Sequence, residues 1–235
     1  MRAVICLLLP LSVSSFFTRS AVKSRDTTTL SAIKESTFGM GCFWEPAEEL
    51  LKVDGVVDTV AGYTGNPSAQ KAPKYQNVCY GRQWVEGVRV KYDDDKISYE
   101  ELLEAFFQAQ NPKLGSRQYA SIIFPHDDEQ SKAAKGWIKA NSDRQRKDGW
   151  MPQFTSVEPL SKFYKAEGYH QNYWQKQRPR FAAIFALLAI ATGLLDPIVP
   201  EAFQKSVETG ANALTLAMAI YIGLERIIDS EVVEL

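Results

Sequence analysis

Gly39-Met40-Gly41-Cys42-Phe43-Trp44-Glu45-Pro46 sets glycines ahead of a cysteine and a proline behind it. The glycines free the backbone for a tight turn. Pro46, Glu48 and Glu49 mark the first turn of a helix that carries Leu50, Leu51 and Val53. Cys42 therefore falls at or just before a helix N-terminus, where unpaired N–H groups favour an anion and lower a thiol pKa. Glu45, Glu48 and Glu49 oppose that field, so only the direction of the helix effect follows. A lone cysteine is more often a small buried hydrophobe, and at this point the residues leave both fates open.

Outward from that helix, residues 56–63 read as a Val-rich strand ending in the turn cluster Thr64-Gly65-Asn66-Pro67. Val88, Val90 and Tyr92 alternate with Arg89, Lys91 and Asp93, the pattern of a half-buried strand. Ser98 with Glu101 predicts a capping box, followed by a helical face of Leu102, Leu103, Phe106 and Phe107. Residues 119–124 read as a short apolar strand closed by Pro125, and residues 128–147 as a polar, exposed helix. Strands and helices interleave without a clean βαβ rhythm. The expected fold class is α+β, a two-layer mixed sheet with flanking helices, plus a C-terminal helical hairpin.

Glu86 has the strand parity of Val88, Val90 and Tyr92, which puts it on the apolar face. Carboxylates are rarely buried without a reason, and a desolvated glutamate holds its proton nearer neutrality. The plain alternative is a strand-end glutamate with its head in water.

The chain has 235 residues, 45% of them hydrophobic, enough for a packed core. A formal net charge of -1 argues against a nucleic-acid footprint and against acidic disorder. The three cysteines are Cys6, Cys42 and Cys79, too few for a disulfide scaffold. His126 and His170 are the only histidines. They are expected to be structural or surface residues, and no metal site is expected.

Both ends differ from the middle. In residues 1–35, Arg2 precedes an apolar run and then Ser-rich sequence, a secretory-signal pattern. Arg19, Lys23, Arg25 and Lys34 then accompany many Ser and Thr and one acid, Asp26, as in a transit peptide. The combination resembles the bipartite leader of a complex plastid; the alternative is an ordinary signal for the secretory pathway. Residues 36–178 form the expected catalytic domain. In 179–235, residues 181–195 and 209–224 carry no charge over 15 and 16 residues, just short of the roughly 18 of a spanning helix. This apolar helical tail is expected to associate with a membrane, with Arg180, Glu225 and Arg226 at the interface. Buried soluble helices are the alternative.

Several blocks occur in one order. They are Gly41-Cys42-Phe43-Trp44 opening a helix, Gly62-Tyr63-Thr64-Gly65, Tyr75-Gln76-Asn77-Val78-Cys79, and Phe163-Tyr164-Lys165-Ala166-Glu167-Gly168-Tyr169-His170-Gln171-Asn172-Tyr173. Over about residues 36–178 the chain resembles the A-type peptide methionine sulfoxide reductases. The resemblance implies reduction of methionine S-sulfoxide, free or in proteins, with Cys42 as nucleophile and Glu86 as proton donor. It implies Tyr75 and Tyr119 as donors to the sulfoxide oxygen, and Phe43 and Trp44 as the wall that holds the substrate methyl. It calls for no metal or organic cofactor. Its partners would be oxidised proteins or free methionine sulfoxide, and a thioredoxin or glutathione/glutaredoxin system as reductant. The chain departs from the family in three places. Glu86 lies one residue closer to Cys79 than usual, the segment from Lys113 to Gln118 holds no aspartate, and no cysteine follows Cys79. The expected recycling is therefore direct reduction of Cys42 by an external thiol. The rival reading is a membrane-tethered, catalytically weak module that binds oxidised proteins.

Overall fold

The computed structural model describes residues 33–235; almost all of the leader lies outside the described residues. Strand β1 (Ile33–Met40) begins slightly ahead of the boundary read at residue 36. It is followed by α1 (Trp44–Leu51), β2 (Val56–Thr64), α2 (Tyr75–Tyr80), β3 (Val85–Asp93) and α3 (Tyr99–Ala109). Then come β4 (Ser121–Phe124), α4 (Asp128–Ala140), β5 (Ser156–Val157), β6 (Tyr164–Lys165), α5 (Tyr173–Ala191), α6 (Glu201–Ile228) and β7 (Val233–Glu234). The sheet order is β5-β4-β1-β3-β2-β6-β7. The β4–β5 pair is parallel and the other pairs are antiparallel, so the sheet is mixed and the α+β reading holds.

Period two explains which residues the sheet buries. Phe38 pairs with Val88 across β1 and β3, and Val88 pairs with Ala61 across β3 and β2. These join Val90, Tyr92 and Leu50 in one core with Leu102, Leu103, Phe106 and Phe107 of α3. Phe106 stacks on Phe38 with centroids 4.9 Å apart; deleting such a ring costs roughly 3–5 kcal/mol. The opposite parity places Val85 with Ile122 and Phe124 in a smaller cluster. Gly62 is the one residue that fits its strand position, because a Cβ there would lie 2.4 Å from the Phe163 ring.

The capping box at α3 is present. Ser98 N–H donates to Glu101 Oε2 at 2.9 Å, and Glu101 N–H donates to Ser98 Oγ at 3.2 Å. Helix α4 is shorter than the 128–147 expected. Asn141 closes it by donating its side-chain amide to Trp137 O at 2.9 Å. Arg146 then reaches the C-terminus of α3, donating to Phe107 O and Gln110 O, both at 2.7 Å. Cations are favoured at a helix C-terminus, and this contact draws the segment after α4 into a loop.

Helices α5 and α6 form the hairpin read from the two uncharged stretches. Helix α5 starts at Tyr173 and passes through Pro179, so it straddles the boundary read at 178. At the base, Glu225 accepts from Arg180 at 2.5 Å and from Lys176 at 3.2 Å. The chain then returns to the sheet edge. Gly168 N–H donates to Asp229 O and Leu235 N–H to Phe163 O, both at 3.0 Å, and β7 pairs with β6.

Candidate active site

Cys42 occupies the turn between β1 and α1. Gly41 has φ +83, and a Cβ there would fall 1.9 Å from Asn111 O; only glycine fits. Gly41 bridges Asn111, whose N–H donates to Met40 O at 2.8 Å. The segment that carries Lys113, Gln118 and Tyr119 is thereby fastened beside the cysteine.

The helix effect expected for Cys42 is present, but it does not win. Burial pushes the thiol up to about 11, and the Trp44 N–H at the helix start pulls the other way. The Glu86 charge adds to the rise and the Lys113 charge opposes it. A reading of the helix N-terminus by itself therefore gives the wrong net direction, because the desolvation is tertiary.

Glu86 is 2% exposed. Its Oε1 accepts from the Gln118 side-chain amide at 2.6 Å, and its Oε2 accepts from the Phe43 N–H at 3.3 Å. Burial raises its carboxyl to about 7, against the lowering effect of those two donors. The strand-end alternative, with the carboxyl in water, does not hold.

Two tyrosines flank this pair. Tyr75, at the start of α2, has its hydroxyl pushed far above the ordinary range, first by burial and then by a hydrogen bond with Cys79. Tyr119 is raised to about 12 by burial, then by Glu86 and Cys42. The Lys113 ammonium lies 4.9 Å above its ring, and the Lys113 N–H donates to Tyr119 O at 2.9 Å.

Phe43 is buried, with its ring 5.9 Å from Tyr63 and 5.2 Å from His170. Trp44 stacks on Tyr173 at 3.9 Å and 6°, and its indole N–H donates to His170 Nδ1 at 2.9 Å. That bond assigns the imidazole hydrogen to Nε2. Burial lowers His170 to about 4, so it is neutral at pH 7. It serves the tryptophan rather than the thiol, which removes a Cys–His hydrolase pair.

Pattern reading missed Gln118, Lys113 and Tyr173. A glutamine or lysine in a loop carries no burial signal, and only the bridge at Gly41 brings that loop to the site. Tyr173 lies in the last block quoted above, yet its stacking partner is more than 100 residues away in sequence. Cys79 also belongs here, with Sγ 3.8 Å from the Gln118 amide nitrogen. Cys42 and Cys79 are both free thiols.

A thiol, a carboxyl that titrates near neutrality and two phenols thus gather at one end of a mixed α+β sheet, the equipment of a thiol-dependent oxidoreductase. The family model described as peptide methionine sulfoxide reductase matches residues 34–190. Peptide methionine sulfoxide reductase MsrA of Methanothermobacter thermautotrophicus is 37% identical over 169 residues, covering 68% of this chain and 97% of that protein. MsrA of Methanosarcina mazei is 36% identical over 173 residues, covering 68% and 79%. The solved structure of methionine sulfoxide reductase A of Corynebacterium diphtheriae superposes with a TM-score of 0.54 at 26% identity, over 61% of this chain and 74% of that one. The chain belongs to the peptide methionine sulfoxide reductase family.

Proposed function

We propose that the chain is a peptide-methionine (S)-S-oxide reductase that repairs oxidised methionine, free or in proteins, with Cys42 as its nucleophile. The observation that carries the assignment of roles is Glu86, a buried carboxyl held near neutrality and hydrogen-bonded to the residue after Cys42. The Cys42 thiolate attacks the sulfoxide sulfur while the oxygen takes a proton from Glu86. Tyr75 and Tyr119 donate to that oxygen as its charge grows. The substrate sulfur gains two electrons and leaves as the thioether; Cys42 loses two and holds the oxygen as a sulfenic acid. One external thiol then forms a mixed disulfide with loss of water, and a second releases Cys42. Phe43 and Trp44 hold the substrate methyl, a favourable contact for a sulfur-bound group against rings. The rival, a catalytically weak binding module, finds no support in the family match.

The test is turnover of the full chain on resolved sulfoxide epimers with dithiothreitol. The S epimer should be reduced, and Cys42→Ser should abolish this while the protein stays folded. Reduction by Cys42→Ser at the wild-type rate would contradict the assignment.

The proposal includes the two ends. Fused ahead of a fluorescent protein, residues 1–35 should direct it to a plastid; delivery to the secretory route would favour the alternative. The hairpin of 179–235 is read as membrane-associated. Helix α6 is 28 residues long with a mean hydropathy of 1.4 in its most apolar window, of which 6% is buried. The uncharged stretches are bracketed by Arg180, Glu225 and Arg226 at one end and by Asp196, Glu201, Lys205 and Glu208 at the other. Thioredoxin or glutaredoxin is proposed as the source of the external thiol.

A further inference from the structure

Helix α6 follows the residues matched by the family, yet it reaches the candidate active site. A cavity of about 170 Å³ is walled on one side by Trp44 and Tyr75 and on the other by Ile222 and Arg226. The aromatic wall is held in place: Trp44 is stacked on Tyr173 and bonded to His170. Charge at this wall is uneven. Glu225 is committed to Arg180 and Lys176. Arg226 has no ion pair among the described residues and lies 6.0 Å above the Tyr169 ring. His170 is neutral, so Arg226 is the cation this cavity offers. A guanidinium presents a planar fork that fits a carboxylate.

We propose that α6 adds a carboxylate-binding subsite to the sulfoxide site, with Arg226 as the group that receives the carboxylate. The inference rests on the sulfoxide reductase reading. The same chemistry has two sources: the α-carboxylate of free methionine sulfoxide, or an Asp or Glu side chain beside an oxidised methionine in a peptide. Either would place its methyl against Phe43 and Trp44 and its anion at the α6 wall.

The experiment compares kcat/KM of the full-length protein on three S-sulfoxides. These are N-acetylmethionine sulfoxide, its N-methylamide, and an end-blocked tripeptide with glutamate next to the sulfoxide. Wild type should favour at least one carboxylate-bearing substrate over the amide by about tenfold, the scale of one charge-assisted hydrogen bond. Arg226→Gln should erase that preference through KM with kcat kept, and Arg226→Lys should keep part of it. Preference for N-acetylmethionine sulfoxide identifies the α-carboxylate as ligand, and preference for the tripeptide identifies an acidic segment. Absence of any preference in wild type, or its persistence in Arg226→Gln, overturns the subsite. If wild type reduces none of the three, the reductase reading fails, and the subsite falls with it.

Discussion

At residue scale the pairing of Cys42 with Glu86 sets the pH behaviour. The proposed mechanism uses the thiol ionised and the carboxyl protonated, but the thiol lies at about 11 and the carboxyl at about 7. The fraction with both in the working state rises with pH up to about 7. It then stays level, because above that point thiol ionisation and carboxyl deprotonation cancel, and it falls only past about 11. A kcat/KM profile with a single rise near 7 and a flat alkaline range is therefore expected; a fall between pH 7 and 9 would contradict this ordering. Glu86→Gln should lower turnover by roughly 10²–10⁴ and remove the break near 7, leaving a rise that continues with thiol ionisation. Activity within a fewfold of wild type would show that the proton comes from elsewhere. The Lys113 charge lowers both groups, so Lys113→Met should move the break upward. An unmoved break would show that the ammonium serves only the Tyr119 ring.

At the scale of elements, the turn between β1 and α1 is the part least tolerant of change. Gly41→Ala must leave a left-handed backbone and collide with Asn111. Destabilisation by more than about 1 kcal/mol is expected, together with loss of activity, since Cys42 and the Tyr119 segment share that anchor; unchanged urea unfolding and turnover would refute this. The β3 element was legible from sequence because period two needs no tertiary knowledge, and it put Glu86 on the buried face. The end of α4 was not legible. It depends on Arg146 reaching α3, a contact that sequence distance hides. The thiol's net shift was hidden for the same reason, since local pattern shows a helix start but not how much chain covers it. For the hairpin, Leu216 and Ile220 are exposed on α6. Under the membrane reading proposed above, carbonate-washed membranes should retain wild type and release the double substitution Leu216→Lys, Ile220→Lys. Equal release of both would leave α5 and α6 as helices of a soluble protein.

For the molecule as a whole, the proposed enzyme works with one cysteine. Among the described residues Cys79 is the other thiol, and it is engaged by Tyr75 and the Gln118 amide. A resolving role would require its Cα within about 7 Å of that of Cys42 and a sulfur free to attack. The expected recycling instead draws on an external thiol, so Cys79→Ser should keep multiple turnovers with dithiothreitol or thioredoxin. The most direct test is a single turnover without reductant, using one equivalent of methionine S-sulfoxide, with sulfenic acid trapped by dimedone, free thiols alkylated by iodoacetamide, and both read by peptide mass spectrometry. One methionine formed per chain, the sulfenic-acid adduct on Cys42, and Cys79 as a free thiol are expected. Methionine formed with Cys42 unmodified, or a Cys42–Cys79 disulfide in high yield, would contradict it.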